Sequence, residues 1–120
     1  MAIIAGKYDF DLQRRSDHTE FFRITDGNDA AVNLTGYTIA AQAWSVVNEK
    51  RHTKYADFTV AYTNRSNGEF TLSLSHTQTA TFSLEKLKYD VLLTNSSGKK
   101  EYYIEGTIFI SEGVTSTWLI

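Results

Sequence analysis

Apolar residues recur along this chain at every second position. Tyr8, Phe10 and Leu12 alternate with Asp9, Asp11 and Gln13. Phe22 and Ile24 make a second row, and Tyr37, Ile39, Ala41 and Ala43 a third. Phe58, Val60 and Tyr62 follow, then Phe70, Leu72 and Leu74, then Leu87, Tyr89, Val91 and Leu93. Tyr102, Ile104, Ile108 and Ile110 close the series. A period of two puts alternate side chains on one face, so each row predicts a strand with one buried face. The rows together predict an all-β fold: a two-sheet immunoglobulin-like β-sandwich of about seven antiparallel strands.

Turn chemistry separates the rows at Asp26 to Asp29, Asn64 to Gly68 and Asn95 to Gly98. Asn, Asp and Gly tolerate positive φ or bond their own backbone. One segment departs from the strand pattern. Ser75-His76-Thr77-Gln78 has the form of a capping box and predicts a short helical turn near residues 76–82, where the chain crosses between sheets. Tyr89 stands near the start of the sixth strand. There it fits either a tyrosine corner, its hydroxyl bonded to backbone, or a plain core tyrosine. Gly106 interrupts the last row and predicts a bulge or a close backbone approach.

Length adds a single domain over residues 1–120, with apolar terminal segments. A chain of this size buries roughly two-thirds of its unfolded surface, enough for a core without staples. Cysteine is absent, so there is neither a disulfide framework nor a thiolate metal site, and the setting leans intracellular or phage-borne. The net charge of −2, from 12 basic and 14 acidic residues, argues against a nucleic-acid partner. No apolar run reaches the ~18 residues of a membrane span. Met1 to Ala5 lacks the charged start and apolar length of a signal peptide, which points to action in the compartment where the chain is made or in an assembly built there. Proline is also absent, so sheet edges need lysines, bulges or cover by a neighbour.

Candidate chemistry is sparse. His18, His52 and His76 share no metal-ligand spacing, and each is expected as an exposed histidine beside a turn. No nucleophile elbow or glycine-rich phosphate loop occurs. Asp9 with Asp11, and Glu101 with Glu105, fall on the solvent register as solubilising charge. The sequons at Asn33, Asn64 and Asn95 read as turn chemistry. The chain is therefore read as non-enzymatic, without cofactor, metal, membrane or small-molecule substrate.

Contact residues are better marked. Lys50 and Arg51 belong to the basic run Glu49 to Lys54, expected to tip a hairpin between the third and fourth strands. Phe21, Trp44, Tyr103 and Phe109 fall on the outer register, where large apolar groups mark a partner surface or a second packing layer. Trp118, Leu119 and Ile120 form an apolar end, where termini are usually polar and frayed. Such an end either packs on its own domain or docks on a neighbour.

The order of short motifs carries a resemblance. Val32-Asn33-Leu34-Thr35-Gly36-Tyr37-Thr38 leads into a long strand. Gly68-Glu69-Phe70-Thr71-Leu72-Ser73-Leu74-Ser75 precedes Thr77-Gln78-Thr79-Ala80. Tyr89-Asp90-Val91-Leu92-Leu93 and a Ser-Gly turn come next, then Glu105-Gly106-Thr107-Ile108-Phe109-Ile110 and Val114-Thr115. From about Tyr8 to Thr115 the chain resembles small immunoglobulin-like virion proteins of tailed bacteriophages, including contractile-tailed phages of cyanobacteria. It is also similar to the N-terminal domain of phage baseplate upper proteins. The basic hairpin and the Trp118-Leu119-Ile120 end depart from that pattern. The resemblance implies a structural or adaptor protein of tail, baseplate, neck or capsid decoration. Its partners would be other virion proteins and copies of itself, and its location the virion, assembled in the host cytoplasm. The other function that the sequence leaves open is a stand-alone binding module, for example for carbohydrate, using exposed aromatics.

Overall fold

The computed structural model describes residues 6–26 and 28–112. They form β1 (Gly6–Lys7), β2 (Phe10–Gln13), β3 (His18–Arg23), β4 (Thr38–Val47), β5 (Lys50–Asp57), β6 (Thr59–Asn64), β7 (Glu69–Leu74), α1 (His76–Thr79), β8 (Lys86–Thr94) and β9 (Lys100–Ser111). One sheet runs in the order β1-β9-β8-β4-β5, with β2 also on β9; the other is β3-β7-β6. The architecture is the expected immunoglobulin-like sandwich, with α1 within the residues expected to be helical and a further 3-10 turn at Arg65–Asn67.

Alternation builds the core. Phe70, Leu72 and Leu74 of β7 face Leu87, Tyr89, Val91 and Leu93 of β8, and all are buried. Phe22 stacks on Phe70 at 5.4 Å. Phe10 meets Tyr89 edge-on at 5.1 Å, a geometry that aromatic pairs favour. Loops contribute as well: Val32, Leu34 and Phe82 are as buried as any strand residue. Ser75 and Gln78 complete the capping box reciprocally at 3.2 and 2.9 Å. The buried Thr79 hydroxyl then donates to the Ser16 carbonyl at 2.8 Å, closing that end of the sandwich.

Three features differ from the sequence reading. The first row is one strand in two pieces, β1 and β2, and it runs parallel to β9, not antiparallel. Both pieces keep one register, Gly6 opposite Ile104 and Phe10 opposite Ile108, across a break at Tyr8-Asp9. The break lies against Gly106, where a Cβ would stand 1.9 Å from the Tyr8 carbonyl oxygen. The close-approach reading of this glycine is therefore the correct one.

Second, the basic run is not a loop. The hairpin turn is only Asn48-Glu49, both at positive φ (52° and 65°) as a two-residue hairpin turn requires. Lys50 onward is strand β5, paired with β4. β5 then leaves this sheet at the buried Phe58, whose N–H donates to the Ala41 carbonyl at 2.9 Å, and continues as β6 in the other sheet.

Third, β9 carries a bulge. Val91 pairs with Ile104 but Leu92 with Tyr102, leaving Tyr103 as the extra residue. Register on β9 therefore inverts before Ile104, because one inserted residue exchanges the two faces.

Core truncations test this register. Leu72→Ala and Ile108→Ala should each lower stability by about 2–4 kcal/mol, and Val91→Ala somewhat less, in denaturant unfolding. Gly106→Ala should cost at least as much as Val91→Ala, through the contact with Tyr8. Neutral behaviour in all four would put the strands one residue out of place.

Candidate interaction site

The six-stranded sheet outgrows its three-stranded partner, and the surplus is the end of the β4–β5 hairpin. Ser45 is the last buried residue of β4; Val46 and Val47 beyond it are exposed. Lys50 to Lys54 are exposed on both faces. Val47 pairs with Lys50 on the inner side and Val46 with Arg51 on the outer side. The hairpin is thus an arm carrying apolar valines and basic residues, with no second sheet beneath its tip.

The outer face of the same sheet is a shallow open concavity of about 1160 Å³. Trp44 lies at one corner, half-buried. Its Nε1 donates to Gln42 Oε1 at 2.8 Å, and the Arg51 guanidinium covers its ring at 4.9 Å. Trp44 and Arg51 are thereby brought together, while Lys50 sits on the opposite face of the arm. Asp90 and Glu105 face each other across β8 and β9 on the floor. Burial pushes the Asp90 carboxyl up, the Glu105 carboxylate adds to the shift, and Arg51 opposes it.

Tyr103 is not an outer-face residue. The bulge turns it inward, where it is 6% exposed, and turns Tyr102 outward at 62%. The adjacent pair Tyr102-Tyr103 was the available signal, since two aromatics in a row break the alternation. The same shift separates Glu101, opposite Leu93, from Glu105, opposite Asp90, so they do not share the solvent register. Phe21 and Phe109 are exposed as expected, and Trp44 faces outward. Trp118, Leu119 and Ile120 lie outside the described residues, as does the Met1 to Ala5 segment.

The histidines separate. His52 is exposed within β5, and His76 is exposed at the start of α1, its Nδ1 2.9 Å from Asp17 Oδ1. The His76 N–H and ring together hold the Asp17 carboxyl below its usual range. His18 departs from expectation: it is half-buried on β3, stacked on Phe10 at 5.3 Å with Nε2 3.2 Å from Glu20. Among the described residues, no three His, Cys, Asp or Glu side chains stand close enough to hold a metal. No helix among them is long and apolar enough to cross a membrane. Asn33, Asn64 and Asn95 each accept nearby backbone N–H groups on their own Oδ1, the turn chemistry expected of them.

Tyr89 does bond to backbone, but not as a tyrosine corner. Its hydroxyl donates to the carbonyl of Tyr8, across the sheet and far along the chain. Burial pushes its pKa well up from 10.0. Tyr103 is pushed up to about 12 by burial and by its hydrogen bond with the Glu101 carboxylate.

No family model matches the chain, and no curated protein does. Among solved structures, it is similar to the crystal structure of the Lin-41 filamin domain. The identity is 16%, the TM-score 0.44, and the match covers 86% of this chain and 84% of that one.

Two measurements check these tyrosines. Tyr89→Phe should cost about 1 kcal/mol, the net worth of one hydrogen bond, and more if the Tyr8 carbonyl stays dry. A folded-state pKa above the unfolded one means that the unfolded chain releases its proton first. Stability should therefore hold below pH ~10 and fall as pH rises toward about 12. Tyr103→Phe should flatten part of that fall in unfolding curves collected across this range.

Proposed function

We propose that this chain is a non-enzymatic structural or adaptor protein of a tailed-phage particle, acting through protein–protein contacts in a symmetric assembly. The observation that carries the reading is the overhanging arm. Val46 and Val47 are exposed at the end of β4, and β5 beside them presents Lys50, Arg51 and Lys54. An isolated two-stranded ribbon is marginal in water and gains from cover. Exposed valines rimmed by cations match a neighbour with an apolar patch and acidic surroundings, the layout of a protein–protein contact. The motif order between Tyr8 and Thr115 supports the virion setting.

Val47→Asp tests this directly. Val47 is 51% exposed, so the variant should keep its stability within ~0.5 kcal/mol. Introduced into the phage gene, it should leave the chain folded in lysates but depleted from purified particles. A wild-type chain absent from purified particles would sink the virion reading, and a Val47→Asp chain incorporated normally would remove the arm from it.

A further inference from the structure

We infer that the concave outer face of the six-stranded sheet binds a neutral, hydroxyl-rich oligosaccharide. Strand register arranges this face in three rows. Trp44, Lys88 and Thr107 form the first, Gln42, Asp90 and Glu105 the second, and Ala40, Leu92 and Tyr102 the third. Trp44 and Tyr102 therefore stand at opposite corners. Four residues of rise and two strand spacings put their Cα atoms roughly 16 Å apart. That span suits an extended chain of rings better than one small molecule.

The middle row carries the chemistry. Asp90 and Glu105 are directly opposed, a like-charge pairing that works against the sheet. Among the described residues, neither carboxylate has a hydrogen-bond or ion-pair partner. Of the nearby cations, Lys88 Nζ donates to Thr107 Oγ1 at 2.8 Å, Arg51 lies over Trp44 while its charge acts on Asp90, and Lys7 stands opposite Glu105 in the β1–β9 register. The floor thus offers carboxylate oxygens that accept no hydrogen bond from the described residues, beside the exposed ring of Tyr102 and the side of Leu92. Sugar hydroxyls supply such donors, and charge-assisted bonds to carboxylates are the stronger kind. The apolar face of a sugar ring covers Tyr102, an amphipathic platform. Acidic and basic side chains line the concavity in near balance, so neither a polyanion nor a polycation is favoured.

The proposal is independent of the virion reading, because the isolated chain can be assayed without particles. The purified chain is applied to a printed array of neutral oligosaccharides, and the strongest ligand found is titrated by calorimetry. Tyr102→Ala and the double variant Asp90→Asn/Glu105→Gln should each weaken binding by about tenfold or more. Phe21→Ala, on the opposite sheet, should leave it unchanged, and all three variants should melt with the parent. If no neutral oligosaccharide binds, or if the two concave-face variants retain full affinity, the proposal is wrong. Binding confined to polyanionic glycans and abolished by salt overturns it too, since that would report the basic strand β5.

Discussion

The close passage of the N-terminal strand over Gly106 is the constraint on which the rest of the sandwich depends. At Tyr8-Asp9 the strand leaves regular pairing, which would strand its backbone groups and those of β9. Three of them are answered individually. Tyr8 N–H donates to the Glu105 carbonyl at 3.0 Å. The Tyr8 carbonyl accepts from the Tyr89 hydroxyl. Thr107 N–H donates to Asp9 Oδ1 at 2.8 Å. The break also frees the Tyr8 side chain to reach the other sheet, where its hydroxyl donates to Glu20 at 2.6 Å and its ring meets Phe22 edge-on at 5.5 Å. One missing Cβ therefore lets a parallel strand close the large sheet and tie it to the small one.

Closure on that side leaves the imbalance on the other. The large sheet gains β1 and β2 at one edge and β5 at the opposite edge, while the small sheet has only β3, β7 and β6. Three strands cannot cover the inner face of the larger sheet, so the β4–β5 end projects as an arm. The core ends at Ser45 and Ala56, and beyond them the residues answer to solvent or to a neighbour. The arm and the concavity share this origin: the arm is the uncovered end of the large sheet, and the concavity is its outer face.

What was legible in the sequence follows from where a core exists. β7 and the inner half of β8 read cleanly, because a sheet buried on one face enforces the alternation that a reader counts. β5 did not read as a strand because Lys50 to Lys54 have no buried face to alternate with. The first half of β9 was read on the wrong register, since the bulge at Tyr103 leaves only two adjacent aromatics as its trace. That error moved Tyr103 onto the outer surface and hid Tyr102. The partner of the Tyr89 hydroxyl was out of reach for a different reason. It is a backbone carbonyl 81 residues away, and periodicity holds no information about which distant strand lies alongside. Val32, Leu34 and Phe82 escaped because loop residues have no period.

At the edges formed by β1 and β2, β5 and β6, bulges and breaks stand in for the absent proline. β5 pairs past its extra residues at His52 and Tyr55, β6 past Thr63, and the outermost strand beside β9 breaks at Tyr8-Asp9. Bulges interrupt the regular row of unpaired N–H and C=O groups that would template another strand. The exposed lysines of β5 add charge repulsion to the same edge. An edge so broken is poorly suited to accept a neighbour's strand by continued sheet pairing. Contacts along these broken edges should therefore pass through side chains on faces and on the arm, with specificity set by shape and charge, and not through backbone ladders; β3, paired with β7 without a bulge, is the regular edge that remains.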